Sequence, residues 1–102
     1  MNINQMMQQA QKMQREVQKK LNEFEQKEFE FDYKNGSVVV RITGALKLTS
    51  VNINPVLVDP NDKVTMEEMI TEAINQAIDS INEDRDNIQK TAVPNGGIPG
   101  MF

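Results

Sequence analysis

The first part of the chain, from about Asn4 to Phe24, carries apolar residues at helical spacing. The apolar residues recur every three or four positions and form one narrow stripe. They are Met6, Ala10, Met13, Val17, Leu21 and Phe24. A helix of about twenty residues is about 30 Å long, whereas a seven-residue strand spans about 23 Å. We therefore predict a helix that projects beyond any sheet it packs on, with its stripe in the core or between two subunits.

The hydrophobic period changes from helical to alternating after this helix. Three aromatic residues alternate with acidic ones, which predicts a half-buried strand. Asn35-Gly36 follows, and this pair favours a two-residue type I′ hairpin turn because both positions need φ > 0. The predicted pairs are Tyr33–Val38, Phe31–Val40 and Phe29–Ile42 on one face, and Asp32–Val39, Glu30–Arg41 and Glu28–Thr43 on the other.

A third strand is predicted over about Leu46 to Asn54, but its alternation is irregular. Leu46 and Leu48 share one parity, whereas Val51 and Ile53 share the other. A β-bulge near Thr49-Ser50 would bring all of them to one face. Alternatively, the strand is covered on both sides, by its own helices and by a partner subunit.

A second helix is predicted in the C-terminal half, ending at about Lys90. Asp59-Pro60 is typical of an N-cap followed by Pro at the first helical position. Thr65 and Glu68 have the spacing of a capping box, with Val64 and Met69 placed as a hydrophobic staple, so the helix begins at Pro60 or at Met66. Its broad apolar stripe predicts packing on the sheet. The stripe comprises Met66, Met69, Ile70, Ala73, Ile74, Ala77, Ile78 and Ile81.

These elements predict one α+β domain over residues 1–90: a helix, a three-stranded antiparallel meander and a helix. Residues 91–102 contain repeated Pro and Gly, and we interpret them as a flexible tail. With 102 residues and a mean hydropathy of −0.55, the chain has little apolar material for a core. A monomer would be only marginally stable, and burial of surface against a second copy would stabilise it.

Composition excludes several function classes. The chain has no Cys and no His, so disulfides, thiolate chemistry and the commonest general base and metal ligand are absent. The acidic clusters lack the spacing of a calcium loop, and we interpret them as solvated helix faces. We expect a cytoplasmic protein that is not an enzyme, with no metal, cofactor, small-molecule substrate or membrane span.

The net charge of −4 argues against nucleic acid as a partner, but the charge is unevenly distributed. Residues 1–24 carry four basic and two acidic side chains, whereas residues 59–102 carry three basic and nine acidic ones. The first helix is therefore the basic end of an acidic protein.

Three segments together resemble the YbaB/EbfC family of bacterial nucleoid-associated proteins. They are Met6-Met7-Gln8-Gln9-Ala10-Gln11-Lys12-Met13-Gln14, Ser50-Val51-Asn52-Ile53-Asn54-Pro55-Val56-Leu57-Val58-Asp59-Pro60 and Gly96-Gly97-Ile98-Pro99-Gly100-Met101-Phe102. The resemblance covers essentially the whole chain. It implies a homodimer with a shared β core, projecting helices that bind double-stranded DNA with limited sequence preference, and a role in nucleoid organisation or gene regulation.

The sequence departs from the family pattern in two places. Leu46 stands where relatives usually have a second glycine after Gly44, and the C-terminal helix is strongly acidic. The acidity argues against a large contribution of that helix to phosphate binding.

The candidate DNA-binding residues lie on the first helix. On a helical wheel Gln8, Lys12, Arg15 and Lys19 form one line opposite the apolar stripe, and Lys20 is adjacent in sequence. Cations bind phosphates, and amides donate hydrogen bonds to phosphate or to groove edges. The competing interpretation is an ordinary solvated face. The competing function is a dimeric adaptor whose acidic helix and apolar tail (Ile98, Met101, Phe102) bind another protein.

Overall fold

The elements follow one another in the predicted order in a computed structural model that describes residues 2–91. They are helix α1 (Ile3–Gln26), strands β1 (Glu28–Tyr33), β2 (Val38–Thr43) and β3 (Leu48–Ile53), a 3₁₀ helix (Pro55–Leu57) and helix α2 (Lys63–Lys90). The α+β prediction is confirmed. The predicted tail lies outside the described residues except for Thr91, which ends α2.

The three strands form an antiparallel sheet in the order β1-β2-β3. All six predicted pairs between β1 and β2 are present. Ser37 donates its backbone N–H to the Lys34 carbonyl over 3.2 Å, which closes the connecting turn. Asn35 and Gly36 have the positive φ values, 54° and 83°, that a type I′ turn requires, and Lys34 before them is also left-handed, with a φ of 48°. The Asn-Gly pair therefore set the register of the hairpin.

Strand β3 contains a β-bulge at the predicted place. Arg41 pairs with Ser50 while its neighbour Ile42 pairs with Leu48, so Thr49 has no opposite residue. The bulge brings Leu48 and Val51 to the same face, as the first interpretation of the irregular pattern predicted. The strand is shorter than predicted and begins after Leu46.

Leu46 lies in the loop before β3 and has a φ of 64°. This left-handed conformation is one that glycine adopts at low cost, and it separates Leu46 from the strand. The position is the one at which the resemblance led us to expect glycine.

Both predicted starts of α2 are wrong. The N-cap is Asp62, whose carboxylate accepts hydrogen bonds from the backbone N–H of Thr65 over 3.4 Å and from its hydroxyl over 2.9 Å. Thr65 therefore lies inside the helix and does not cap it. Asp59 instead accepts from the backbone N–H of Asn61 in the turn that precedes the helix.

The Asx-Pro signature begins a helix elsewhere. Asn54 caps the 3₁₀ helix by accepting a hydrogen bond from the Val56 N–H over 3.0 Å, and Pro55 is its first residue. The same dipeptide pattern thus marks a helix start at Asn54 but only a turn at Asp59, because at the latter Asp62 offers a competing cap one turn of chain later.

The core lies between α2 and one face of the sheet. The residues exposed by 2 % or less are Val38, Val40, Ile42, Ala73, Ala77 and Ile81, and Tyr33 and Phe24 complete the buried cluster. The predicted stripe of α2 therefore packs on the sheet. The opposite face is polar, with Glu30, Arg41 and Ser50 paired across its three strands.

Helix α1 contacts the rest of the chain through its C-terminal end. Its one buried residue is Phe24, and every residue from Asn2 to Lys12 is exposed. The predicted projecting end is thus the N-terminal half of α1. It contributes to the elongated shape, with a longest dimension of 70 Å.

Candidate nucleic-acid interface

The position of α1 is fixed by a close approach between its last turn and the loop after β2. Gly44 lies so near Phe24 that a Cβ at this position would overlap the Phe24 carbonyl. The backbone N–H of Gly44 donates to the Lys27 carbonyl over 3.0 Å. From the other side, the guanidinium of Arg85 donates to the Gly44 carbonyl. Glycine is required here because backbone packs directly against backbone.

The projecting part of α1 is held by local helical interactions. Asn2 caps the helix by accepting a hydrogen bond from the Gln5 N–H over 2.8 Å. Nearer the sheet, Gln18 donates to Asn22 one turn later over 2.9 Å. Gln, Lys, Arg and Glu favour the helix intrinsically, so α1 extends beyond its packing partner. The result is a polar rod that carries its side chains away from the core.

Four of the five candidate DNA-binding residues share one exposed face of α1. Gln8, Lys12, Arg15 and Lys19, hereafter the basic face, are separated by three or four residues and are all exposed. Within residues 2–91 the ion pairs join Arg41 to Glu28 and Glu30 and Lys63 to Glu67, and none involves the basic face. In the described part of the chain these cations are therefore not neutralised by a carboxylate contact.

Lys20 is separated from the basic face. It lines an open cleft between the last turns of the two helices, together with Glu23, Asp84 and Asn87. Lys27 also lines the cleft, so two carboxylates offset two cations there and the local positive potential is low. The structure thus groups Gln8 with three cations and places Lys20 beside acidic residues.

Two further side chains, which the sequence pattern did not single out, lie beside the basic face. Gln5 and Gln9 line a shallow surface groove together with Gln8 and Lys12. Gln5 precedes Gln8 by three residues and Lys12 by seven, and Gln9 precedes Lys12 by three. This helical spacing could have identified them. The groove offers amide donors and acceptors next to a cation.

The acidic residues of α2 form a separate surface. Glu67, Glu68 and Glu72 are exposed near its first turns, and Glu83, Asp84 and Asp86 near its last. Among residues 2–91, no cluster of three acidic side chains has the arrangement to hold a metal ion. The acidity leaves α1 as the part of the described chain best suited to polyanions.

Comparisons with known proteins identify the family. A family model described as the YbaB/EbfC DNA-binding family matches residues 1–96. The chain belongs to the YbaB/EbfC DNA-binding family. A nucleoid-associated protein of Malacoplasma penetrans is 47% identical over 94 residues, covering 92% of this chain and 99% of that protein. A nucleoid-associated protein of Clostridium novyi is 41% identical over 102 residues, covering 100% of this chain and 90% of its own.

A solved structure has a similar overall fold. The crystal structure of an uncharacterized Helicobacter pylori protein superposes with a TM-score of 0.65 at 21% identity, covering 87% of this chain and 94% of the other. At this identity the likeness concerns the fold alone. The family description is that of DNA-binding proteins, not of an enzyme class. No helix among the described residues combines the length and apolar character needed to span a bilayer.

Proposed function

We propose that this YbaB/EbfC protein binds duplex DNA through the basic face of α1, with Lys20 as a flanking contact, and acts in the nucleoid. The observation that carries the proposal is the exposed line of Lys12, Arg15 and Lys19 with Gln8 on a projecting helix. Cations on such a rod approach the phosphate backbone without hindrance from the acidic α2. Contacts to phosphates carry no sequence information, so the proposed binding has limited sequence preference.

We further propose that the protein acts as a homodimer with a shared β core. Strand β3 lies at an edge of the sheet and has unpaired backbone groups on its outer side. Exposed apolar side chains lie before, within and after it: Leu46 (37% exposed), Leu48 (43%), Val56 (86%) and Val58 (59%). A second copy paired along this edge would bury them. It would also double the number of cations offered to DNA.

The DNA proposal is tested by fluorescence anisotropy on duplex DNA across a salt series. Each phosphate contact adds about −0.9 to the slope of log K against log salt. Reversal of Lys12, Arg15 and Lys19 to Glu should therefore weaken binding strongly and flatten the slope by about 3 per chain. Wild-type binding that does not respond to salt would contradict the proposal.

A matched control separates the basic face from net charge. Lys34, Lys63 and Lys90 are exposed and lie outside α1. Reversal of these three to Glu changes the net charge by the same amount, and we expect a much smaller loss of affinity. Equal losses in the two triple variants would show that overall charge, not the basic face, governs binding. A dimer with no DNA affinity near physiological salt would instead favour the adaptor function, with acidic α2 as the partner surface.

The dimer is tested separately by sedimentation. The chain mass is 11.6 kDa, and we expect twice this mass at micromolar concentration. The double substitution Leu48→Asp and Val58→Asp should yield a folded monomer. The matched control Val64→Asp changes another exposed apolar residue, 62% exposed at the start of α2, and should remain dimeric. A wild-type monomer would overturn the dimer.

A further inference from the structure

The N-terminal end of α1 differs in character from the basic face. Residues 2–11, hereafter the uncharged end, contain no charged side chain, and all of them are exposed. Among them Ile3 is 74% exposed, Met6 56% and Met7 55%. The first charged side chain of the helix is Lys12.

This combination is unusual for a helix that only faces water. Solvated helix faces normally carry charged residues. Large apolar side chains that remain in water on such a face are not stabilised by burial. The first three turns instead carry only amides and apolar groups, with Gln5, Gln8 and Gln9 around the shallow groove. Met6 lies on the side of the helix opposite Gln8, so the amides and the apolar groups together suit a partner that surrounds the helix end and presents both hydrogen-bonding edges and apolar groups.

Duplex DNA presents both in its major groove. Base edges there offer donors and acceptors that a Gln amide matches, and thymine adds a methyl group. The groove is about 12 Å wide and admits an α-helix, whose diameter is about 10–12 Å. The uncharged end also lacks carboxylates, which the phosphates at the groove edges would repel.

The spacing along the helix agrees with this partner. Ile3 and Lys12 are nine residues apart, which is about 14 Å along the axis. A helix end inserted to the groove depth of about 8.5 Å would therefore leave Lys12 and Arg15 near the phosphates at the rim. We propose that the uncharged end enters the major groove and contacts base edges and thymine methyl groups, while the basic face binds the flanking phosphates. This inference rests on the proposed DNA binding.

The test compares two duplexes that differ only in the thymine methyl group. Anisotropy is measured with a thymine duplex and with the same sequence in which uracil replaces thymine. Each buried methyl is worth about a fourfold change in affinity. Wild type should bind the uracil duplex several-fold more weakly. The variant Ile3→Ala, Met6→Ala, Met7→Ala should bind both duplexes equally and more weakly than wild type binds the thymine duplex.

The salt series separates this inference from the proposed function. The apolar variant should lose affinity at every salt concentration with an unchanged slope, because it removes no phosphate contact. The variant Gln5→Ala, Gln9→Ala should do the same. Equal wild-type affinity for the two duplexes, with full affinity of both variants, overturns groove entry but leaves phosphate binding intact. Absence of DNA binding by wild type overturns both.

A control for self-association completes the design. If the apolar variant sediments with a lower mass than wild type, the uncharged end is a contact between copies, and groove entry is overturned. We expect unchanged sedimentation and unchanged helical circular dichroism in both variants.

Discussion

Arg85 on α2 donates a hydrogen bond through its guanidinium to the backbone carbonyl of Gly44 in the loop between β2 and β3. The same glycine also contacts the end of α1, since its own N–H donates to the Lys27 carbonyl and its Cα lies against Phe24. One residue thus joins the sheet to both helices. The direction in which α1 projects is set at this point.

Gly44→Ala should destabilise the protein by about 3 kcal/mol, because the added methyl would overlap the Phe24 backbone, which cannot move aside as a flexible side chain could. The matched control is Gly36→Asn. Gly36 has a φ of 83°, and a Cβ added there would meet no atom within 4 Å. Asn tolerates the left-handed region, so a cost below about 1 kcal/mol is expected. Urea denaturation measures both, and equal costs would contradict the close approach at Gly44.

Tyr33 should make stability fall at high pH. Its hydroxyl donates to Glu72 on α2, and this hydrogen bond, burial and the Glu72 charge raise the pKa of Tyr33 above 10.0. The folded state then holds the proton more tightly than the unfolded state. The stabilisation is complete below pH 10.0 and is lost as pH rises through the folded-state pKa.

The chain has one Tyr and no Trp, so phenolate absorbance reports Tyr33 alone. We expect Tyr33 to titrate at a higher pH in the folded protein than in the chain unfolded in urea. Tyr33→Phe should remove this part of the pH dependence of unfolding. Coincident titrations in folded and unfolded protein would contradict the Tyr33–Glu72 contact.

The cap of α2 gives a third prediction. Asp62→Ala should cost about 1 kcal/mol, because the Thr65 N–H loses its acceptor. Asp59→Ala should cost less than about 0.5 kcal/mol, since Asp59 closes only an exposed turn. Thermal unfolding of the two variants decides between the observed start of α2 and a start at Pro60. A larger loss at Asp59 would favour the latter.

The sequence predicted the hairpin well because its register depends on local chemistry. Asn35-Gly36 requires two positive φ values and thereby aligns the flanking residues, including Phe31 opposite Val40. The start of α2 was harder to predict, since four Asx or Thr residues compete as caps within seven positions. Sequence alone cannot rank them, because the choice depends on how the preceding turn packs.

The candidate site was predicted in part for a related reason. Helical spacing is enough to align Gln8 with Lys12 and Lys19, and this needs no tertiary information. Helical spacing does not place Lys20 on this line, and its surroundings, which include Asp84 on α2, could not be predicted because α2 is distant in sequence. The family pattern includes a glycine at position 44, but the role of Gly44 could not be predicted, since it arises only where α1 meets the sheet.

Truncation of a buried and of an exposed apolar side chain should change the stability of the protein by very different amounts. Ile81 is fully buried between α2 and the sheet, so Ile81→Ala should cost about 2–5 kcal/mol through lost contacts and a residual cavity. Ile3 is 74% exposed at the uncharged end, and Ile3→Ala should change stability by less than about 0.5 kcal/mol. Urea denaturation at several protein concentrations measures both. A large cost for Ile3→Ala that grows with protein concentration would mean that a second copy covers the uncharged end.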